Sequence, residues 1–393
     1  MKNLKYYDFT LMIIPIFLAG FGLVMIYSSS MVTAVVEGHN STYYLFKQFQ
    51  WFVVSLILFV FCCLFPYKSY QKLIKFIVLF MIALLIGVLI FGKTINNAKS
   101  WFSLGPANIQ PAEFAKLGII LYLASVYSKK QDYINDFSRG VLPPLILTGV
   151  ILGLIVLQPD IGTAGIILII SCSVILSSGI KMRHIFLLLF IVIITLAIAI
   201  PNMVTDVRIA RFTGAYQPFT APNTDGYHLI QSYLAIGVGG LTGEGLGQSV
   251  QKLGYLMEAH TDFIMAIIAE ELGFIGVVIV IGMLATIVLR GYFIARKCKD
   301  SFGSLIAIGI STMVGIQATV NLGAISGVLP ITGVTLPFIS YGGSSLLILM
   351  ISMGILNNIA MNVKKQREYD SPAEKDPKQN LQTYQRRERQ WPS

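Results

Sequence analysis

The sequence predicts an all-α polytopic membrane protein with about ten transmembrane helices, and three observations support this fold class. The 393-residue chain is 55% hydrophobic and only 12% charged, whereas average soluble domains carry about 25% charged residues. Apolar runs recur that are long enough to cross a bilayer, which takes about 20 residues each. The basic residues collect in alternate loops between these runs. This composition argues against a soluble enzyme and against a disordered chain.

The apolar runs define ten predicted spans, with one long segment before the eighth. The first span follows Lys2 and Lys5, is longer than a signal-peptide core and is followed by no small-x-small cleavage site, so we interpret it as a retained helix. With ten spans, both termini lie on the same side of the membrane. The predicted spans are 9–27, 49–65, 74–91, 111–127, 141–157, 162–179, 185–200, 263–289, 305–327 and 343–363.

The distribution of basic residues predicts the orientation of these spans. If the N-terminus is cytoplasmic, most of the 29 Lys and Arg residues fall in or next to inner segments, as the positive-inside rule expects. We therefore predict that both termini are cytoplasmic and that residues 201–262 form one large extracellular loop. Residues 1–363 then form a single transmembrane domain. Residues 364–393 form a charged cytoplasmic tail whose composition predicts disorder.

The cysteines give no sign of a disulfide framework or a structural metal site. Neighbouring Cys62 and Cys63 are poorly placed to bridge each other, and no CxxC or Cys/His spacing accompanies Cys172 or Cys298. Residues 87–94 match the P-loop pattern, but that motif needs a strand before it and a helix after it. Here its first residues close an apolar helix, so we reject a nucleotide site. We expect the glycine-rich stretch 237–247 to allow tight turns or close backbone approach.

Polar residues near the membrane are the candidates for function, because burying them there is costly. Glu113 and Lys116 lie three residues apart at the start of the fourth span, and hence on one helix face where they can pair. An ion pair and a direct contact with substrate both remain open. Asp160 precedes the sixth span, where it either caps the helix or lines a polar cavity.

A second group of polar residues closes the long outer loop. Glu258, His260 and Asp262 lead into the eighth span, and Glu270 with Glu271 follow within it. Capping the helix is the default role for Asp262. One of the two glutamates is expected to face an internal polar contact. His260 is either a catalytic partner or, more ordinarily, a hydrogen-bonding surface group.

The outer loop also carries the cations Arg208, Arg211 and Lys252. Cations beside carboxylates at a membrane surface suit an anionic lipid such as a polyprenyl pyrophosphate, although loop solubility explains them equally well. Between the last two spans, residues 330–345 contain two prolines, three glycines and many hydroxyls. We predict a non-helical loop that lines a cavity, since irregular backbone at this depth needs cover from protein or water. Its candidate contact residues are Ser340, Tyr341 and Ser344.

At this point the chain resembles the SEDS family of polytopic membrane proteins, the group of FtsW, RodA and SpoVE. The resemblance covers residues 1 to about 363. Residues 27–30 and 101–106 look more like the division branch, the FtsW-like one, than the elongation branch. Met257 departs from the family pattern, which commonly has proline there. The resemblance rests on five motifs in the right order: QPAEFAK at 110–116, QPDIGTA at 158–164, GYLMEAHTDFI at 254–264, AEELG at 269–273 and LPFISYGGSS at 336–345.

The resemblance implies a peptidoglycan glycosyltransferase that acts on the outer face of the cytoplasmic membrane. Its substrate is lipid II, a disaccharide-peptide carried by undecaprenyl pyrophosphate. The growing strand is the donor, and the GlcNAc 4-hydroxyl of an incoming lipid II is the acceptor. Asp262 matches the position thought essential in the family, whereas Glu113, Lys116 and Asp160 match other family motifs and would shape the cavity.

This implied reaction agrees with the chemistry of the residues. A carboxylate within hydrogen-bond reach can take the proton of a sugar hydroxyl as the new bond forms. Pyrophosphate is a fair leaving group that needs stabilising charge, from Arg208, Arg211 and Lys252 or from Mg2+ or Mn2+. A single displacement inverts the anomeric centre. No organic cofactor is expected.

The family resemblance also implies partners and leaves two other functions open. Such proteins usually act with a class B penicillin-binding protein, which is a single-span transpeptidase, and with other divisome proteins at the septum. A lipid II flippase is the first alternative, although it needs a polar path through the whole membrane and the ionisable residues concentrate on the outer half. A non-catalytic scaffold that activates a partner synthase is the second.

Overall fold

The computed structural model describes residues 4–95, 98–104, 107–129, 136–181, 183–184, 186, 206–224 and 226–370, and it is mostly helical. The helices and strands are numbered in chain order within these residues. The long helices are α1 (Phe9–Val36), α2 (Tyr43–Leu64), α3 (Tyr67–Phe91), α4 (Pro111–Lys129), α5 (Leu142–Val156), α6 (Ile161–Ser177), α7 (Asp206–Tyr216), α8 (Tyr227–Gly239), α9 (Ile264–Lys297), α10 (Ser301–Ile325) and α11 (Gly343–Asp370).

Helices occupy nine of the ten predicted spans within the described residues, and the predicted span 185–200 lies outside them. Six of these helices, α1, α2, α3, α9, α10 and α11, are long and apolar enough to cross a membrane by length and composition, and α5 and α6 are shorter apolar helices. The chain is therefore a multi-pass, helical membrane protein. Many helix ends differ from the prediction: α11 continues to Asp370, so the first residues of the expected tail are helical, and 371–393 lie outside the described residues.

Local sequence explains where several helices begin. Asp8, Asp160 and Asp300 each precede a helix and accept a hydrogen bond from a backbone N–H of its first turn. Such capping satisfies one of the N–H groups that a helix start leaves without an intrahelical partner. Pro111 opens α4, where its missing N–H costs nothing.

The interior and the periphery of the bundle differ as expected for a membrane protein. Helices α4 and α11 are mostly buried, and α11 packs mainly against α2. Helix α10 packs against α4, α6 and α9. Large apolar side chains of α2 and α3, such as Phe61, Phe76 and Phe80, are exposed, which suits a face turned toward lipid rather than water.

A small antiparallel sheet lies between α3 and α4 and was not predicted. Its strands are β1 (Lys93–Ile95), β2 (Ala98–Leu104) and β3 (Ala107–Ile109), in the order β1-β2-β3. The P-loop match therefore runs from the end of a helix into a strand, which is the reverse of the order that a phosphate-binding loop needs.

Helix α9 is interrupted at Gly273, whose φ of 64° is not helical. The glycine-rich stretch inserts here: Glu244 N–H donates to Glu270 O at 2.9 Å, and Phe274 N–H donates to Gly240 O at 2.9 Å. A Cβ on Gly243 would lie 2.2 Å from Glu271 O. The prediction that this stretch permits close backbone approach is confirmed, and residues 264–272 form a separate first part of α9, called the half-helix below.

Residues 326–342 connect α10 to α11 without forming a helix. The prediction of a non-helical loop at 330–345 is confirmed for 330–342, whereas residues 343–345 begin α11. The connection, called the re-entrant loop below, packs onto α1 and α2. Gly342 N–H donates to Gln48 Oε1 at 3.2 Å. A Cβ on Gly22 would lie 2.7 Å from Ile339 O, so only glycine fits on α1 at this contact.

Candidate active site

Asp262 lies two residues before the half-helix and faces the re-entrant loop. Asn321, buried in α10, donates from Nδ2 to Asp262 O and to Val334 O, both at 2.8 Å. A Cβ on Gly333 would lie 3.6 Å from Asp262 Oδ2, so the carboxylate is next to this glycine. Phe263 precedes the half-helix, which has no side-chain cap. Asp262 is therefore not a cap, and its carboxylate is left for another role.

The surroundings of Asp262 make its carboxyl a weaker acid than usual. Its side chain is only partly accessible. Burial, followed by the negative charge of Glu258, raises the pKa of Asp262 from 3.8 to about 7, while the positive charge of Arg211 acts in the opposite direction. A carboxyl that titrates near neutral pH can both accept and release a proton under working conditions.

The re-entrant loop holds the residues that precede Asp262. Ser340 Oγ donates to Thr261 O at 2.6 Å and accepts from Leu336 N–H at 2.9 Å. Tyr341 N–H donates to His260 O at 2.9 Å. Ser340 and Tyr341 are thus brought to the candidate site as predicted, although their described contacts fix the backbone. Ser344 is buried in the first turn of α11.

His260 is a packed side chain rather than a surface group. Its ring centroid lies 4.6 Å from that of Tyr44 and 5.5 Å from that of Tyr341. Burial lowers the pKa of His260, so it is neutral at pH 7. Glu258 is exposed, has a φ of 54°, and accepts from Thr261 Oγ1 at 2.7 Å. The described hydrogen bonds do not join His260 to Asp262.

Polar residues at the starts of α4 and α6 form two pairs, Glu113 with Lys116 and Gln110 with Asp160. Lys116 Nζ lies 2.7 Å from Glu113 Oε1, and both side chains are buried. Gln110 Nε2 donates to Asp160 Oδ2 at 2.8 Å, while Asp160 Oδ1 accepts from Thr163 N–H at 3.1 Å. Of the alternatives left open, Glu113 forms the ion pair with Lys116 and Asp160 caps α6.

The re-entrant loop contacts both the start of α6 and Asp262. A Cβ on Gly162, two residues after Asp160, would lie 2.9 Å from Thr332 O. The next residue along the loop, Gly333, is the one beside the Asp262 carboxylate. Thr332 Oγ1 is buried and has no hydrogen-bond partner among the described residues. Contacts therefore run from the start of α6 through the re-entrant loop to Asp262.

The three predicted loop cations lie in different environments. Lys252 is buried and forms an ion pair with Glu271 at 2.7 Å, so the expectation that it is free to meet a pyrophosphate is wrong. Arg211 is exposed on α7 and acts on Asp262 through its charge. Arg208 belongs to α7, but its side chain lies outside the described residues.

Sequence reasoning missed Asn321, Tyr44 and Gln48, which contact the candidate site or the re-entrant loop. A signal was available for Asn321, since an amide side chain inside a predicted membrane helix needs a polar partner. Gln48 lies one residue before the predicted second span and gave no such signal. Tyr44 gave no comparable signal. Two surface cavities of about 420 and 450 Å3 lie at residues 38–50 and 215–233, and neither is lined by Asp262.

The described residues contain no group of three or more His, Cys, Asp or Glu side chains that could hold a metal ion. Mg2+ and Mn2+ are commonly held by one or two carboxylates together with substrate phosphates, so Asp262 and its acidic neighbour Glu258 form only part of such a site.

Known proteins resemble this chain in both sequence and fold. Residues 9–365 match a family model described as "Cell cycle protein", FTSW_RODA_SPOVE. The chain is 50% identical over 373 residues to "Probable peptidoglycan glycosyltransferase FtsW" of Bacillus subtilis (strain 168), with 92% of this chain and 93% of that protein covered. It is 38% identical to "Stage V sporulation protein E" of the same organism, with 90% and 96% covered.

Two solved structures share the fold. A chain from "Structural coordination of polymerization and crosslinking by a peptidoglycan synthase complex" superposes with a TM-score of 0.74 at 29% identity, with 91% of this chain and 98% of that chain covered. The Rod shape determining protein RodA of Thermus thermophilus gives a TM-score of 0.65 at 29% identity, with 90% and 96% covered.

Proposed function

The chain belongs to the cell cycle protein family of FtsW, RodA and SpoVE, and from this membership we propose that it is a peptidoglycan glycosyltransferase. It polymerises lipid II into glycan strands on the outer face of the cytoplasmic membrane. The higher identity to an FtsW than to a SpoVE of one organism favours septal wall synthesis in cell division.

The observation that carries this proposal is the Asp262 carboxylate, which is partly accessible, caps no helix and titrates near pH 7. A sugar hydroxyl is a poor nucleophile at neutral pH. Asp262 accepts its proton as the bond to the anomeric carbon forms, which is general base catalysis. The displacement inverts the anomeric centre, and undecaprenyl pyrophosphate leaves without protonation.

The charge that develops on the leaving pyrophosphate needs cations nearby. Arg211 is the cation whose charge reaches Asp262, and we assign it this role together with Arg208 on the same helix. Lys252 is excluded from it by burial and pairing. Lys116 compensates Glu113, so the pair shapes the cavity and orients the polar part of the substrate.

A divalent cation remains a prediction that is separate from the mechanism. We expect Mg2+ or Mn2+ to arrive bound to the substrate pyrophosphate, because such ions are held mainly by substrate phosphates and few carboxylates. EDTA is then expected to lower the polymerisation rate, and added Mg2+ to restore it. An unchanged rate in EDTA would contradict this expectation.

The proposed topology has ten spans, cytoplasmic termini and an extracellular loop at 201–262. It is supported by the agreement of nine predicted spans with described helices and by the basic residues that follow helix ends, such as Arg296 and Lys297 at the end of α9. Cysteine labelling of intact cells tests it: residues of α7 are expected to react with an impermeant maleimide, and residues of the 298–300 turn are not.

The proposed partners are lipid II, an undecaprenyl-pyrophosphate-linked glycan, a class B penicillin-binding protein and other divisome proteins. The support is a structural neighbour described as a peptidoglycan synthase complex that joins polymerisation and crosslinking. A single-span transpeptidase that cross-links the new strands fits such a pairing, and location at the septum follows from the division role.

The test is polymerisation of purified lipid II in detergent, where flipping across a membrane is impossible. The chain is assayed with its transpeptidase partner, and the partner alone and a complex with Asp262→Ala serve as controls. Glycan strands that form only with the wild-type chain support the polymerase. Strands made equally by the Asp262→Ala complex favour a scaffold, and no strands from any sample leave the flippase as the better explanation.

A further inference from the structure

A buried ion pair lies at the end of the half-helix opposite Asp262. Lys252 Nζ is 2.7 Å from Glu271 Oε1 and donates to Ser28 Oγ at 2.9 Å, while Ser28 Oγ donates to the same carboxylate oxygen at 2.6 Å. The two charged side chains are 1% and 0% exposed. Glu271 Oε2 has no hydrogen-bond partner among the described residues, so Lys252 and Ser28 alone compensate this carboxylate.

The neighbouring Glu270 binds the same stretch of chain. Glu270 accepts hydrogen bonds from Ser249 Oγ, from Val250 N–H at 2.8 Å and from Gln251 N–H at 3.4 Å. Glu270 therefore binds residues 249–251 and Glu271 binds the side chain of Lys252, at the start of the short turn Gln251–Leu253. Apart from Val250, the residues that make these contacts are buried, and buried charges are screened much less than exposed ones.

We call residues 249–263 the strap, because they run from this turn back to the start of the half-helix. The nine residues of the half-helix span about 13 Å at 1.5 Å per residue. The strap is attached at one end by Glu270 and Glu271, and at its other end it carries Asp262. The strap is thus the covalent connection between the Lys252 attachment and Asp262.

Helix continuity does not hold the half-helix in place. Gly273 interrupts α9 directly after Leu272, so the half-helix is not rigidly continuous with the longer membrane-spanning part. It is held instead by the backbone of residues 240–245 and by the strap, whose far end the re-entrant loop holds through Ser340 and Thr261. The Lys252–Glu271 pair is the charged attachment among these.

Stability alone is a weak reason for such a pair. Two buried charges lose hydration that their attraction only partly returns, and apolar replacements are often as stable, whereas removal of one partner leaves an uncompensated charge. Buried pairs can instead specify one arrangement of the chain. Resting on the proposed function, we propose that Lys252 and Glu271 are positioning residues that fix the strap, and thereby place Asp262 against the acceptor hydroxyl, without contacting the substrate.

The test separates the charge of Lys252 from its action on Glu271. Lys252→Met is expected to lower kcat for lipid II polymerisation by at least tenfold with KM unchanged, since a misplacement of about 1 Å can cost about 100-fold in rate. Lys252→Glu combined with Glu271→Lys keeps an oppositely charged pair at the same two positions and is expected to recover kcat to within about threefold of wild type. Lys5→Met removes one partner of an exposed ion pair with Glu368 and serves as the control.

A second readout reports the position of Asp262. Lys252→Met is expected to move the acidic limb of the pH–rate profile to lower pH, because a displaced strap exposes Asp262 and reduces the burial that raises its pKa. Glu258 and Arg211, the charged groups that act on Asp262, are unchanged in this variant. A merely structural loss lowers the amount of active enzyme but leaves the midpoint in place.

Several outcomes overturn the inference. Wild-type kcat in Lys252→Met shows that the pair positions nothing, and a raised KM shows that Lys252 contacts substrate. A folded double variant that is as inactive as Lys252→Met shows that the positive charge at position 252 itself is needed. The double variant also decides the matter if Lys252→Met does not fold. A wild-type chain that makes no glycan refutes the proposed function instead, independently of Lys252.

Discussion

Replacing Asp262 by asparagine should make the protein more stable at alkaline pH while abolishing its activity. The folded protein raises the pKa of Asp262 from 3.8 to about 7, so the ionised carboxylate is less favourable in the folded state than in the unfolded state. One pKa unit corresponds to 1.36 kcal/mol, which gives about 4 kcal/mol for this shift, or about 2 kcal/mol after screening at a partly accessible site.

The pH window follows from the same two pKa values. Below about pH 3 the carboxyl is protonated in both states, and the variant and the wild type have equal contributions from this position. The wild type loses stability as the pH rises from about 4 to about 7, because the unfolded state releases its proton first. Above pH 7 the cost is fully present, and Asp262→Asn removes it.

Thermal unfolding in detergent measures this difference. We expect the Tm of Asp262→Asn to exceed that of the wild type at pH 8, with a much smaller difference at pH 4.5. Glu244→Gln, an exposed carboxylate of the outer segment, is the matched control and should leave both values unchanged. A variant that is less stable than the wild type at pH 8 would refute the argument that Asp262 is held at an energetic cost.

Three further predictions concern the same site. The polymerisation rate should rise with pH to a plateau, with half of the plateau rate near pH 7. Glu258→Gln should lower that midpoint because the neighbouring negative charge is lost. Glu244→Gln is the control, and an unchanged midpoint in Glu258→Gln contradicts the assignment. Asn321→Leu should cost about 2–6 kcal/mol of unfolding free energy, since two carbonyls lose their donor at about 1–3 kcal/mol each; wild-type denaturant midpoints would argue against it. Gly22→Val should destabilise the protein by about 1–3 kcal/mol by pushing the re-entrant loop away, whereas Gly20→Val on the same helix meets nothing within 4 Å and should be tolerated; equal Tm values for the two variants would contradict the contact.

Features set by neighbours in sequence could be predicted from the chain alone. The pairing of Glu113 with Lys116 needs only helical spacing, and capping by Asp160 needs only the residues that follow it. Most of the spans follow from apolar runs. Their ends are less predictable, because helices such as α1 continue past the apolar run into polar residues that find partners inside the protein, as Ser28 does with Glu271.

Features that depend on distant contacts could not be predicted. Lys252 looked like a free loop cation, because nothing in its neighbourhood shows that Glu271, nineteen residues on, folds back beside it. The contact of His260 with Tyr44 joins residues more than 200 positions apart. The sheet at 93–109 was missed because its strands are short and lie in a mainly polar connection.

The most direct test of the central claim is the rate at which Asp262→Asn, confirmed as folded, polymerises purified lipid II with its partner at pH 8. Asparagine keeps the shape of the side chain and cannot accept the hydroxyl proton as a carboxylate does. Loss of a general base is expected to reduce the rate by about 100- to 10,000-fold, with lipid II binding retained. A rate within tenfold of the wild type would contradict the assignment of Asp262 as the catalytic base.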